Sequence, residues 1–204
     1  MTTLAHVEER SPALFPLLDS TRITCFVFAS AWILGLWPAA AEMIEYERVA
    51  ISGGALWRGL LGHLAHYSWS HLAWDTLGFV ALGAVCERTN RRTFAWAVGL
   101  SALAISVGLY FALPELGHYR GLSGVTSALF GLLAVQVVRA HWRSGRCGVA
   151  VLSVALCLSF VAVLVRSWLA AESLLVEGLG GQVAPVPLSH AIGLGIGVAL
   201  ALKR

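Results

Sequence analysis

Six stretches of this sequence are apolar for about as long as a helix needs to cross a bilayer, and little chain is left between them. They run from Ile23 to Ala41, Tyr67 to Val85, Phe94 to Leu113, Ser123 to Ala140, Val149 to Ala170 and Pro187 to Leu202. A spanning helix takes roughly 20 residues to cover ~30 Å of hydrocarbon. With 58% hydrophobic residues, 12% charged residues and a mean hydropathy of +0.77, the chain is too apolar for a soluble domain of its length. The expected fold is an all-α membrane protein, a bundle of six transmembrane helices over residues 23–204, preceded by an N-terminal segment of residues 1–22.

Charge sets the expected orientation. Residues 1–22 carry Glu8, Glu9, Pro12, Pro16 and Asp19 in place of a basic leader, so the first span is read as a retained anchor. Short loops rich in Lys and Arg stay cytoplasmic. Arg10, Arg22, Arg88, Arg91, Arg92, Arg139, Arg143, Arg146, Lys203 and Arg204, ten of the fourteen cationic residues, fall on one side of the six spans. Both termini are therefore expected to be cytoplasmic, in a multi-pass protein of a bacterial inner (plasma) membrane. The net charge of +3 is spread over loops flanking the spans, which suits the lipid bilayer as partner and not nucleic acid. Cys25, Cys86, Cys147 and Cys157 have no paired spacing and are read as packing residues. No metal and no cofactor is expected.

Polar groups inside a membrane are costly, and three spans hold them. His71 and Asp75 are four apart, on one helical face. The fourth span opens Gly121-Leu122-Ser123-Gly124, with glycines on both sides of a serine that let backbone or substrate come close. The sixth begins with Ser189-His190 after Pro185 and Pro187. Each of these last two spans carries a stripe of small residues: Gly124, Ser127, Ala128 and Gly131 in one, Gly193, Gly197 and Ala201 in the other. Stripes of this kind let helices approach closely. If the two pack together, His190 is held beside Ser123. A serine becomes an effective nucleophile when a neighbouring neutral histidine takes its proton, so Ser123 and His190 are the candidate catalytic pair.

These residues resemble the rhomboid proteases over nearly the whole chain. The series Trp57-Arg58, His66, His71, position 75 and Glu87 has the order and spacing of that family, Gly121-Leu122-Ser123-Gly124 resembles its nucleophile motif, and His190-Ala191-Ile192-Gly193 with Gly197 resembles its base-bearing last helix. The resemblance implies a six-helix bundle that cleaves membrane-anchored proteins near the extracytoplasmic side. It implies an oxyanion hole of His71, the residue at Asp75 and the Ser123 backbone N–H, with Gly121 and Gly124 shaping the nucleophile loop. Trp57, Arg58 and Glu87 would be framework residues, and His66 either framework or site. The run Gly62-His63-Leu64, His66, Ser70-His71-Leu72 also resembles the rhombosortase branch, whose clients carry C-terminal Gly-Gly-type anchors.

One position departs from the pattern: Asp75 stands where the family has Asn. An amide donates, whereas an ionised carboxylate only accepts. Asp75 must therefore be protonated to serve as a donor, or else pair with protonated His71 and leave the hole to N–H groups and imidazolium. The alternative function is a catalytically impaired rhomboid-like protein that binds membrane clients without cutting them. A metal centre of His63, His66, His71 and Asp75 lacks the His-Glu-x-x-His pattern, and a small transporter would need broken helices that the sequence does not suggest.

Overall fold

The computed structural model describes residues 19–170 and 186–203. Most of the segment 1–22 and nearly all of the Gly- and Pro-rich loop Glu172 to Val186 lie outside the described residues. Helix α1 (Arg22–Leu36) is followed by α2 (Pro38–Ile44), with a bend of 117° between them. This corrects the expected continuous first span from Ile23 to Ala41. Pro38 has no N–H to donate and restricts the residue before it, so α1 ends at Trp37 and Pro38 starts a new helix at its first position.

The segment from 45 to 68 is built of short elements. A two-residue strand, β1 (Tyr46–Glu47), is followed by short helices α3 (Arg48–Ser52) and α4 (Trp57–Leu61) and a 3-10 turn, Gly62–Leu64. β1 pairs antiparallel with β2 (His118–Tyr119), opposing Tyr46 to Tyr119, and this ties the loop before Ser123 to the loop after α2. Ser68 then caps α5 (Trp69–Ala112) by accepting from His71 N at 3.1 Å.

At ~1.5 Å per residue, 44 unbroken helical residues would extend ~66 Å, twice the hydrocarbon thickness. The helix is broken at Asn90, which leaves the helical region at φ −160°, ψ 97°. Its side-chain oxygen accepts from Thr93 N at 2.9 Å and Thr93 Oγ1 at 3.0 Å, so Asn90 caps the helical turn that begins after it. The Phe79 and Phe94 rings meet at 6.3 Å between centroids, which no straight helix permits for residues 15 apart. α5 is thus a hairpin of two limbs, 69–89 and 91–112, which correspond to the second and third expected spans.

Helices α6 (Ser123–Arg143), α7 (Cys147–Ala170) and α8 (Pro187–Leu202) complete the bundle. Among the described residues, α5, α6 and the bent pair α1–α2 are long and apolar enough to cross a membrane. Phe26, Ile33, Leu77, Leu103 and Phe111 stay exposed on helix flanks, as lipid-facing side chains do. Of the cysteines, Cys86 is buried whereas Cys147 is exposed at the start of α7, so packing does not account for the latter.

Two contacts fix how the limbs sit. Glu87, 2% exposed, accepts from Ile23 N, Thr24 N and Thr24 Oγ1 at 3.0, 2.8 and 2.8 Å. The first turn of α1 has no side-chain cap of its own, so a carboxylate from 63 residues away supplies the acceptors. Second, α6 and α8 pack backbone to backbone. A Cβ at Gly193 would collide with the Gly124 carbonyl oxygen, and one at Gly197 with that of Ala128. Any side chain at either position pushes the helices apart. Gly197→Ala is expected to cost about 1–3 kcal/mol, read as a lower thermal midpoint in detergent. Gly195→Ala, on the same helix with nothing within 4 Å, leaves the midpoint unchanged or higher.

Candidate active site

The loop entering α6 is pressed against the first limb of α5. Gly121 has φ +122°, a conformation rarely open to side-chain-bearing residues, and a Cβ there would lie 2.8 Å from His71 Nε2 and 2.9 Å from Asp75 Oδ2. Leu122 and Ser123 follow, and their backbone N–H groups donate to Asp75 Oδ2 at 2.8 and 3.2 Å. These are orphan donors at the start of a helix whose N-cap residue offers no side chain for them. A carboxylate also suits the positive end of the helix dipole.

The imidazoles of His66 and His71 flank the same carboxylate. Each Nε2 lies 3.2 Å from Asp75 Oδ2, with side chains 3% and 10% exposed. The His66 approach is at ion-pair distance but off the direction of a hydrogen bond. Its Nδ1 is 3.1 Å from the Leu64 carbonyl oxygen, and its ring meets His71 edge to face at 5.1 Å. Tyr67 stacks on His71 with ring centroids 6.1 Å apart. The oxygen that Asp75 turns towards Ser123 is therefore an acceptor from the Leu122 and Ser123 N–H groups. Asp75 Oδ2 thus lies within reach of two backbone N–H groups and two imidazoles at once.

Ser123 is the first residue of α6 and His190 lies in the first turn of α8. The small-residue stripes bring these two turns together: the Cβ direction of Gly124 points at Ser189 O and Ser189 Cβ, 3.1 and 3.2 Å away. Ser123 precedes Gly124 and His190 follows Ser189, so both lie at the same end of the tightest helix pair. Ser189 Oγ donates to Val186 O at 2.7 Å and lies 3.5 Å from His190 Nδ1. Among the described residues no hydrogen bond joins the Ser123 hydroxyl to the His190 ring in this resting arrangement. In enzymes without substrate such contacts are often long and tighten on binding.

Several residues that sequence reading did not assign hold the loop that leads into Ser123. Tyr119, 5% exposed, donates through its phenol to Gly121 O at 3.4 Å. His63 Nδ1 lies 3.4 Å from the same oxygen, and its Nε2 lies 3.0 Å from Ala102 O. Burial lowers the His63 pKa from the ordinary histidine value, against the opposite pull of the two carbonyls. Arg120 donates to Glu45 Oε2 at 2.6 Å and covers the Tyr67 ring at 5.0 Å. His118 meets the other Glu45 oxygen at 3.2 Å. Of the expected framework residues, Arg58 reaches Glu42 O, Glu45 O and Glu47 Oε2 at 3.1, 3.3 and 3.1 Å, while Trp57 is 56% exposed on the surface of its segment. The signal for the loop contacts lies in Glu45-Tyr46-Glu47 and His118-Tyr119-Arg120, but a two-residue bridge is too short to announce its register. Gly121→Ala combines a strained φ with a clash against His71 and Asp75. It is expected to cost about 1–3 kcal/mol in stability, measured by thermal unfolding.

Residues 53–204, well over half of the chain, match the family model described as Rhomboid domain. No curated protein sequence matches the chain.

Proposed function

The chain belongs to the rhomboid family of membrane-embedded proteins, generally intramembrane serine proteases, and from that premise we propose that this member is an intramembrane serine endopeptidase with Ser123 as nucleophile and His190 as general base. The observation that carries the reading is the packing of Gly124 on Ser189, which sets the two residues at one end of α6 and α8. Ser189 Oγ lies beside His190 Nδ1, which leaves Nε2 as the nitrogen to receive the Ser123 proton.

In this reading His190 Nε2 takes the hydroxyl proton as Ser123 Oγ bonds to the scissile carbonyl carbon. The oxyanion so formed seeks the Ser123 backbone N–H, with His71 beside it. Protonated His190 then gives its proton to the leaving amine, and the acyl group remains on Ser123. Water, deprotonated by His190, hydrolyses that ester and restores the serine. Gly121 and Gly124 keep the approach to Ser123 clear, Gly193 and Gly197 hold α8 against α6, and Arg58 and Glu87 brace the frame.

The reading includes six crossings with both termini cytoplasmic, in a bacterial inner membrane. The hairpin of α5 supports it, as do the opposed starts of α1, at the Glu87 end of the first limb, and α6, at its Asp75 end. The substrates are membrane-anchored proteins cut near the extracytoplasmic face. The run from Gly62 to Leu72 suggests clients with C-terminal Gly-Gly-type anchors.

One observation favours a second reading, client binding without cleavage: a carboxylate oxygen accepts from the Ser123 N–H that an oxyanion would need. Purified protein in liposomes with a membrane-anchored reporter separates the two. The protease reading predicts cleavage that falls on the order of 10³-fold or more in Ser123→Ala and in His190→Ala, but not in Ser144→Ala at the far end of α6. Cleavage undiminished in Ser123→Ala contradicts it, and reporter that is bound but uncut supports the second reading.

A further inference from the structure

The N–H of the nucleophile is already engaged. Asp75 Oδ2 accepts from Ser123 N at 3.2 Å and Leu122 N at 2.8 Å, and the Nε2 atoms of His66 and His71 both stand 3.2 Å from it. Four nitrogens thus converge on one oxygen of a side chain that is 8% exposed. Two backbone N–H groups at a helix start, with imidazoles beside them, are the donor set that stabilises the oxygen of a tetrahedral intermediate. Here the set surrounds a carboxylate of the chain itself.

From this convergence we infer that Asp75 is an internal surrogate for the reaction's oxyanion: in the resting protein its carboxylate fills the oxyanion position, and substrate gains the Ser123 N–H only when Asp75 Oδ2 gives it up. The inference rests on the protease reading above. A carboxylate cannot share the position, because two negative oxygens on one donor repel each other in a site shielded from water. The bonds are unequal in a way that permits exchange. The contact with Ser123 N is 0.4 Å longer than that with Leu122 N (3.2 against 2.8 Å), so Asp75 can leave Ser123 while still capping α6 through Leu122. The imidazoles of His66 and His71 flank the carboxylate at 3.2 Å, and Leu122 N–H is the bonded partner that a buried charge requires. His71 Nδ1 is buried without a partner among the described residues, so no second bond pins that ring. Gly121 completes the device, since a side chain there would occupy the space taken by Asp75 Oδ2 and His71 Nε2.

The test uses the full chain in detergent micelles and an activated fluorophosphonate as probe. The rate of adduct formation at Ser123 is compared between wild type and Asp75→Asn, alongside hydrogen exchange of the peptide covering Leu122 and Ser123. An amide oxygen is the weaker acceptor, and the accompanying NH₂ can donate. The surrogate predicts roughly tenfold faster labelling in Asp75→Asn, the step between a charged and a neutral acceptor, with faster exchange at the two amides. Asp75→Ser, equally uncharged, moves both readouts the same way and serves if the Asn variant does not fold. A wild-type labelling rate that neither folded variant exceeds overturns the inference and leaves the protease reading standing. Unchanged exchange overturns it as well, whatever the labelling rate. If neither wild type nor variant labels, the protease reading fails and the surrogate with it, and Asp75 is only a helix cap.

Discussion

The approach of α8 to α6 is the constraint on which the rest of the site depends. Two glycines of α8 face two carbonyl oxygens of α6 with no room for a Cβ between them, and a Cβ on Gly124 would lie 3.1 Å from Ser189 O. In a bilayer, helices gain little by hiding apolar side chains from lipid that is equally apolar, so close backbone packing and polar contacts decide which helices associate. Here that packing also aligns two helix starts. Ser123 and His190, 67 positions apart in sequence (190 against 123), come to the same end of the helix pair because each is adjacent to a residue in the contact.

The first limb of α5 does for polar groups what the glycine contact does for backbones. It carries two buried carboxylates, Asp75 towards one end and Glu87 towards the other, and each accepts from the opening N–H groups of a different helix: α6 in the first case, α1 in the second. Neither helix has a side-chain cap of its own. The limb thereby fastens the starts of two helices that enter from opposite ends. The same device that caps α6 also engages the N–H of Ser123, so a structural cap and the proposed site fall on one pair of atoms.

The architecture was largely legible in the sequence because membrane helices are written as long apolar runs and close contacts as spaced glycines. The stripes Gly124, Ala128, Gly131 and Gly193, Gly197 did meet. Asn90 and Thr93 carried the cap that turns α5 back on itself, yet within a long helical pattern they read as an ordinary polar loop. Pro38 carried the bend in α1–α2, but a proline near the end of an apolar run does not state its angle. Least legible was the direction of Asp75. Spacing placed it on one face with His71, whereas which group donates depends on the backbone of a loop 47 residues away. Tyr119 and Glu45 were hidden for the same reason, since their partners come from a two-residue bridge.

The central claim is that Ser123 and His190 act as one unit across the α6–α8 contact, and a double-mutant cycle on proteoliposome cleavage tests it most directly. Cleavage rates are measured for wild type, Ser123→Ala, His190→Ala and the double variant, each shown to be folded by thermal unfolding. The account predicts strong non-additivity, with the double variant about as impaired as either single one. Losses that multiply in the double variant, as for independent residues, would contradict it.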